Sequence, residues 1–280
     1  MSIELPEAKI FADQMNREIV GKRIRAYQLK DWERLQKIGF INRDLKAFDQ
    51  LVNKNVLSIA SRGNVIIAKF DGEVNLLLCP EYGGEIFFFP KGKAALETFH
   101  LKLDFSDGST LTVRLTSMGG IYTLKNGELS SSYVFKRDFN PKMLSPIDKE
   151  FKFETLSKLL AGNNRALKSV LVGKDAVVVG LSNSAFQDIL YRAKLHPKRK
   201  ASELNVEEKR ALYDAIKLVL SERLRLKGKD QFLDLYGKRG AYTPAMGPNM
   251  KHQKCPTCGT YIEKLNIGGG QVYLCPKCQK

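Results

Sequence analysis

The sequence predicts an α+β fold, with a leading helix and an N-terminal β-sandwich followed by a helical domain and a C-terminal four-cysteine ribbon. Three observations support this prediction. Between residues 20 and 130, short apolar runs alternate with hairpin signals such as Asp71-Gly72 and Asp107-Gly108. Beyond residue 150, apolar residues recur at helical spacing. Four of the five cysteines form two close pairs near the C-terminus.

The leading helix is predicted to start at Pro6 and to end before Gly21. Proline is favoured in the first turn of a helix, because its missing N–H has no intrahelical partner there. Ile10, Met15 and Ile19 then repeat along one face, as in an amphipathic helix. We therefore expect one helix ahead of the first strand.

The apolar runs that follow the leading helix are predicted to be strands of a sandwich or barrel, within a domain of residues 1–130. The predicted strands are 24–27, 56–60, 65–70, 74–78, 86–89, 101–105, 111–115 and 121–124. Three serines at 130–132, with Pro141 and Pro146, then predict a linker over residues 131–146.

Helices dominate the next predicted domain, residues 147–240. We expect them at 154–161, 164–172, 182–193 and 206–225. The segment 192–200 contains five Lys or Arg, one His and no acidic residue. Such a run is typical either of a solvated surface or of a phosphate contact, and its position beside a helix pair favours the phosphate contact.

The chain is strongly basic, with 46 Lys and Arg against 30 Asp and Glu, and its formal net charge is +16. This excess favours a polyanionic partner, nucleic acid first of all, although a basic protein without such a partner is the alternative. No apolar run approaches the roughly 18 residues that a membrane helix needs, so no membrane partner is expected. Acidic residues stand where a secretory signal would carry basic ones, which indicates a cytoplasmic location.

Cys255, Cys258, Cys275 and Cys278 form two C-x2-C pairs separated by sixteen residues. Two short strands are predicted between the pairs, at 260–262 and 271–274. Two thiolate pairs on tight turns suit tetrahedral Zn²⁺, so one zinc ion is predicted in a finger of residues 249–280. Two disulfides are the alternative, which a cytoplasmic location disfavours. Because protein ligands fill all four positions, the ion is expected to be structural and not catalytic.

Several motifs occur along the chain in a characteristic order. Glu4-Leu5-Pro6-Glu7 lies at the start, segments 179–183 and 188–193 lie in the helical domain, and segment 235–240 precedes the four cysteines. Together these motifs resemble the formamidopyrimidine-DNA glycosylase and endonuclease VIII family over nearly the whole chain. Segments 179–183 and 188–193 are similar to the family's helix-two-turn-helix signature, which implies that residues 147–240 are a DNA-binding domain.

The resemblance implies a DNA-repair protein that flips a damaged base out of duplex DNA. In most of the family an N-terminal proline amine attacks the sugar and forms a Schiff base, while an adjacent glutamate moves protons and a hairpin lysine assists. Loss of the base is followed by strand cleavage through elimination, the AP-lyase step. By this resemblance Glu4 is the catalytic acid, and Glu7 is retained beside it.

The sequence departs from the family at the reactive positions. Ile3 replaces the proline, so the candidate amine is that of Ser2 after removal of Met1. Asn64 stands in place of the hairpin lysine. Glu4 also has an alternative role, as an acid that stabilises the start of a helix. With the proline and the lysine missing, strand cleavage is expected to be weak or absent.

The DNA contacts that the resemblance implies are retained in part. Asn183 matches a phosphate-binding asparagine, with a turn or N-cap residue as the alternative, and Lys168 is either a phosphate contact or a solvated helix lysine. Gly270 stands in place of a zinc-finger arginine, and Gln271 is the nearest polar substitute. Tyr82 is predicted to wedge into a base step of the DNA. The remaining predicted DNA-binding residues are Arg192, Lys198 and Arg199.

Two functional hypotheses follow. The first is a monomeric glycosylase that binds damaged double-stranded DNA and hydrolyses an N-glycosidic bond, with weak or absent lyase activity. The second is a catalytically inactive relative that binds damaged or unusual DNA. Either protein is expected to associate with the nucleoid in the cytoplasm.

Overall fold

The computed structural model of the chain describes residues 3–173 and 175–280. The chain forms two compact units, each assembled from two segments. The first unit contains Met1–Asn140 and Lys227–Ala241, and the second contains Pro141–Leu226 and Tyr242–Lys280. No helix in the described part of the chain is both long and apolar enough to cross a membrane.

The first unit opens with helix α1 (Leu5–Ile19), which has Pro6 in its first turn, as predicted. Its apolar face is buried and includes Phe11 and Met15, both with no exposed surface. Burial of large apolar side chains of this kind stabilises a fold by roughly 1.5–3 kcal/mol each. The amphipathic spacing therefore fixes which side of α1 faces the core.

Two antiparallel sheets form the β-sandwich that the apolar runs predicted. Their strands are β1 (Ile24–Leu29), β2 (Val56–Arg62), β3 (Val65–Phe70), β4 (Val74–Tyr82), β5 (Glu85–Phe89), β6 (Leu101–Phe105), β7 (Thr110–Arg114) and β8 (Met118–Lys125). One sheet has the order β1-β6-β7-β5 and the other β2-β3-β4-β8. Alternate residues of β6 are buried, namely Leu101, Leu103 and Phe105, as expected for a half-buried strand.

Two short helices, α2 (Glu33–Lys37) and α3 (Tyr133–Asp138), complete the N-terminal part of the first unit. Helix α3 lies within the segment 131–146, which the sequence predicts as a linker. Ser132 caps this helix by accepting a hydrogen bond from the Phe135 N–H, and Phe135 packs against a buried cluster that includes Leu77. Apolar burial thus joins the first half of this segment to the sheet of β2, β3, β4 and β8.

Residues 227–241 also pack in the first unit, whereas the sequence-based boundary places them in the helical domain. The ring of Phe232 meets that of Phe11 edge-on at 4.9 Å between centroids. The Gln14 amide donates to Asp234 at 2.7 Å and accepts from the Leu235 N–H at 2.9 Å. These contacts join positions more than 200 residues apart in sequence, which local periodicity does not reveal.

The helices of the second unit are α4 (Phe153–Ala161), α5 (Leu167–Leu171), α6 (Asn183–Arg192) and α7 (Val206–Arg225). They share one buried apolar core. Helix α7 has the predicted bounds, and its start is fixed by Asn205 and Glu208, which exchange side-chain to main-chain hydrogen bonds of 2.8 and 3.0 Å. Helix α5 begins later than predicted, because residues 163–166 form a turn and a bridge from Ala166 to Lys200.

The C-terminal ribbon contains strands β9 (Glu263–Ile267) and β10 (Gly270–Leu274), joined by Gly268 and Gly269 in left-handed conformations. The prediction of a first strand at 260–262 is wrong. The Thr260 carbonyl accepts from the Cys255 N–H at 2.8 Å, so this part of the chain closes the first cysteine turn. The second strand lies as predicted, one residue longer.

Candidate functional site

Glu4 immediately precedes α1 and is fully buried. Its carboxylate Oε2 lies 3.6 Å from the ammonium of Lys229, which is itself almost fully buried. Glu7 links the two residues: its Oε2 accepts from the Glu4 N–H at 3.1 Å, and its Oε1 accepts from the Lys229 N–H at 3.4 Å. The result is a buried acid and amine held by the carboxylate of Glu7.

Ile3 occupies the position that the resemblance assigns to the reactive proline. Its side chain is fully buried, and its N–H donates to the Glu81 carbonyl at 2.9 Å. That bond ties the segment before Glu4 to the end of β4. The candidate amine of Ser2 lies outside the described residues.

Asn64 lies in the turn between β2 and β3, at the predicted place of the lysine. Its N–H donates to Asp138 Oδ2 at 2.8 Å, and its own Oδ1 is buried without a hydrogen-bond partner among residues 3–173 and 175–280. Gly63 precedes it in the left-handed region with φ of 56°. The turn is therefore fixed against α3, and it offers an amide where the family offers a cation.

A charged cluster at the end of β4 was not identified from the sequence. Arg137 contacts Glu81 at 2.5 Å and Asp138 at 2.6 Å, and it lies 3.8 Å from the thiol of Cys79. Burial raises the pKa of this thiol well above its usual value, with the Glu81 charge acting in the same direction. Cys79 is thus a protonated core residue, and Glu81 and Arg137 form the polar wall of a neighbouring cavity.

That cavity has a volume of about 720 Å³ and lies wholly within the first unit. The other residues that line it include the aromatic Phe40, Tyr122 and Tyr133, together with Met118 and Gly119. Met118 pairs in register with Tyr82, the predicted wedge residue, and both side chains are about half exposed. The predicted wedge residue is therefore solvent-accessible and is paired with a residue that lines the cavity.

The predicted phosphate-binding residues Asn183, Lys168 and Gln271 come together in the second unit. Asn183 is the first residue of α6, and its Oδ1 accepts a hydrogen bond from the Lys168 ammonium. Its amide donates to the Gln271 carbonyl at 3.4 Å. A Cβ atom on Gly270 would lie 2.1 Å from this amide, so the missing side chain makes room for Asn183.

The basic run 192–200 is partly neutralised by acids of the second unit. Arg192 pairs with Asp188 at 2.9 Å, and Arg199 pairs with Glu208 at 3.1 Å. Lys198 is exposed, and no ion pair of its side chain occurs among the described residues. Of the three predicted contacts in this run, Lys198 is therefore the one whose charge no acid in the described part of the chain neutralises.

The sulfur atoms of Cys255, Cys258, Cys275 and Cys278 all lie within 4.8 Å of one another. A tetrahedral zinc site with Zn–S bonds of about 2.3 Å places its sulfurs about 3.8 Å apart, so the cluster fits one Zn²⁺. Four thiolates leave no position for a substrate, and the ion is structural. The predicted zinc ligands are confirmed as one cluster.

Tyr191 of α6 supports this cluster from outside the ribbon. Its hydroxyl lies 3.4 Å from the Cys255 sulfur and 3.0 Å from the Thr257 hydroxyl. Burial alone raises the pKa of the Cys255 thiol, but hydrogen bonds from Tyr191 and from main-chain N–H groups outweigh it and lower that pKa to about 6. These bonds favour the thiolate that zinc requires.

Lys229 is the clearest residue that the sequence analysis missed. It follows a short loop without a recognisable motif, and its partner Glu4 is 225 positions away along the chain. The glycines at 228 and 240 were the only local signal of a tightly packed turn. The pairing becomes visible only when residues 227–241 are found in the first unit.

Sequence models of three domains match consecutive parts of the chain. Residues 3–116 match the formamidopyrimidine-DNA glycosylase N-terminal domain, residues 143–232 match the H2TH domain of the same enzyme, and residues 253–280 match a zinc finger found in FPG and IleRS. The matches agree with the order of motifs in the sequence and with the two sheets, the helices and the cysteine cluster.

Whole proteins of this kind are similar to the chain along its length. The formamidopyrimidine-DNA glycosylase of Streptococcus pneumoniae strain R6 is 27% identical, over 99% of this chain and 98% of the relative. That of Roseiflexus sp. strain RS-1 is 28% identical, over 99% of both chains.

Solved structures show the same fold. The Lactococcus lactis Fpg in complex with abasic-site DNA gives a TM-score of 0.82 at 23% identity, covering 99% of both chains. The MutM protein of Thermus thermophilus gives 0.81 at 23% identity, covering 99% of this chain and 98% of the other. With its domains, zinc ligands and motifs in the same order, the chain belongs to the formamidopyrimidine-DNA glycosylase family.

Proposed function

We propose that the protein is a DNA glycosylase that removes a damaged base from duplex DNA by cleaving the N-glycosidic bond. One observation carries this proposal: Glu4, in the family's N-terminal motif, is buried at the start of α1 beside an amine. A buried carboxylate next to a cation is suited to proton transfer at a reacting sugar. The similar L. lactis protein binds DNA with an abasic site, the product of such a reaction.

The DNA is proposed to be held by the second unit. Asn183, Lys168 and Gln271 offer an amide, an ammonium and a polar side chain at the start of α6. Main-chain N–H groups at a helix start favour a phosphate, and Lys198 adds an exposed positive charge. Tyr82 is proposed to wedge into the base stack, because its ring is half exposed at the end of β4.

Strand cleavage is proposed to be slower than base removal. Asn64 has no charge to assist elimination, and the Ile3 N–H is engaged with Glu81. The monomeric state and the association with the nucleoid stay predictions.

An inactive DNA-binding relative is the second candidate function, and the same two positions favour it. Ile3 and Asn64 stand where the resemblance requires proline and lysine, whereas the candidate phosphate site and the zinc ligands are retained. In this case the protein would recognise a lesion and leave the glycosidic bond intact.

The experiment that separates these functions is strand scission on a panel of lesion-bearing and abasic duplexes, each measured with and without alkali. A glycosylase with slow lyase activity gives breaks on one lesion class chiefly after alkali. Binding to the same duplexes with no break in any lesion-bearing duplex in either condition, and no break in the abasic duplex before alkali, would contradict the proposed function and support the second one.

A further inference from the structure

Lys229 is a buried basic residue that contacts Glu4. Its side chain is 6% exposed, its Nζ lies 3.6 Å from Glu4 Oε2, and its main-chain N–H donates to Glu7 at 3.4 Å. Both ends of the residue are thus held by the two acids of the N-terminal motif.

The backbone around Lys229 is closely packed. Gly228 has φ of 93°, and a Cβ atom there would lie 2.4 Å from the Phe232 ring. A Cβ atom on Gly240 would lie 2.5 Å from the Lys229 carbonyl oxygen. That oxygen also accepts from the Phe232 N–H at 2.9 Å. Larger residues at 228 or 240 would push this segment away from α1.

We propose that Lys229 is a catalytic residue, whose amine forms the Schiff base with the sugar in place of the missing N-terminal proline. This proposal rests on the proposed function. A lysine amine forms imines with sugar aldehydes readily when a neighbouring group removes its proton, and Glu4 is the group in contact with it. The competing amine, that of Ser2, lies outside the described residues.

The chemistry balances with groups that the protein and its DNA supply. Glu4 accepts one proton from the Lys229 ammonium, and the neutral amine adds to C1′ of an abasic sugar in its aldehyde form. The new C–N bond forms as the C=O double bond opens, and the oxygen leaves as water after it takes one proton from the nitrogen and one from Glu4. The Glu4 carboxylate then accepts a proton from C2′, the C3′–O bond breaks, and the downstream strand leaves with its 5′ phosphate. Water hydrolyses the unsaturated imine that remains and frees the Lys229 amine.

Borohydride trapping on an abasic duplex tests the assignment, because reduction converts the imine into a stable amine. The cross-linked full-length protein is digested, and the modified peptide is identified by mass spectrometry. We expect the adduct on Lys229. Lys229→Arg keeps a positive charge beside Glu4 but offers no amine that forms a stable imine, so it should lose trapping. Lys227→Arg, at an exposed lysine two positions away, is the matched control and should trap like the wild type.

The results of this trapping experiment distinguish a failure of the Lys229 assignment from a failure of the proposed glycosylase function. An adduct on Ser2, or trapping by Lys229→Arg equal to that of the wild type, would overturn the role of Lys229. Base removal by the wild type with no adduct on any residue would also overturn it, while the glycosylase function would stand. If Lys229→Arg fails to fold by circular dichroism, the adduct position in the wild type decides alone.

Discussion

At the residue scale, the proposed chemistry depends on how Glu4 is held. Its carboxylate is buried and lies 3.6 Å from the Lys229 ammonium, and its N–H is bonded to Glu7. Both oxygens of Glu7 accept main-chain N–H groups, so we infer that Glu7 positions Glu4 and Lys229 and does not itself move protons. In this proposal the N-terminal motif contains one reacting acid, Glu4, and one positioning acid, Glu7.

Glu4→Gln should lower the rate of alkali-revealed strand breakage by about 100-fold or more, because the amide does not transfer protons as a carboxylate does. Affinity for the same duplex should change little, since the candidate phosphate contacts lie on other residues. Rates are measured in single turnover. Glu33→Gln, at an exposed acid of α2, is the control and should keep the wild-type rate. An unchanged rate for Glu4→Gln would show that the Glu4 carboxylate takes no part in base removal.

At the element scale, α6 supports both the zinc cluster and the candidate phosphate site. Asn183 at its start meets β10, and Tyr191 near its end contacts the Cys255 sulfur. The Gln187 side chain between them accepts from the Tyr273 N–H at 2.7 Å. The ribbon is therefore attached to α6 along the whole length of the helix.

Tyr191→Phe should release zinc to a chelator about 10-fold faster, because a hydrogen bond to a ligand sulfur stabilises the thiolate. The measurement follows zinc with a colorimetric indicator. Tyr261→Phe removes a hydroxyl from an exposed ribbon tyrosine and should leave the release rate unchanged. Equal rates for both variants would mean that the Tyr191 hydroxyl does not stabilise the metal site.

Gly270→Ala should weaken binding to duplex DNA by about tenfold, the loss expected for one charge-assisted hydrogen bond. The added methyl would lie 2.1 Å from the Asn183 amide and force it away from Lys168 and Gln271. Gly127→Ala, where a Cβ atom meets no neighbour, is the matched control. Fluorescence anisotropy measures both variants, and wild-type affinity for Gly270→Ala would show that Asn183 does not contact DNA.

The sequence predicts the bounds of helices and strands better than it predicts contacts between segments that are far apart along the chain. The bounds of α7 and β3 follow from local periodicity and hairpin signals, and the structure reproduces them. The strand predicted at 260–262 does not form, because the Thr260 carbonyl accepts a hydrogen bond from the Cys255 N–H in the first cysteine turn. Hydrophobic periodicity gives no sign of this hydrogen bond. The placement of 227–241, and with it the pairing of Lys229 with Glu4, depends on contacts across more than 200 residues.

At the scale of the whole molecule, the net charge of +16 favours binding to a polyanion, and we propose duplex DNA as that partner. Part of this charge is neutralised internally, as in the pairs Arg192–Asp188 and Arg199–Glu208. The exposed remainder attracts a polyanion without reading its sequence. We therefore expect specificity to come from the residues around Glu4 and from Tyr82, the proposed wedge.

Affinity for duplex DNA should fall steeply as the salt concentration rises. The logarithm of the association constant should decrease by about 0.9 per neutralised phosphate for each unit of the logarithm of the salt concentration. Lys198→Ala should make this slope shallower by about 0.9, the amount expected for the loss of one phosphate contact. Lys37→Ala, at an exposed lysine of α2, serves as the comparison. A slope near zero for the wild type would rule out phosphate contacts as the source of affinity.

The most direct test of the glycosylase function is the release of free base from lesion-bearing duplexes, measured by mass spectrometry with the bound fraction recorded in the same sample. In single turnover, the wild type should release about one base per bound duplex for its preferred lesion, and none from undamaged DNA. Saturated binding with no base released from any lesion would contradict the account, and the protein would then be a DNA-binding member of its family without glycosylase activity.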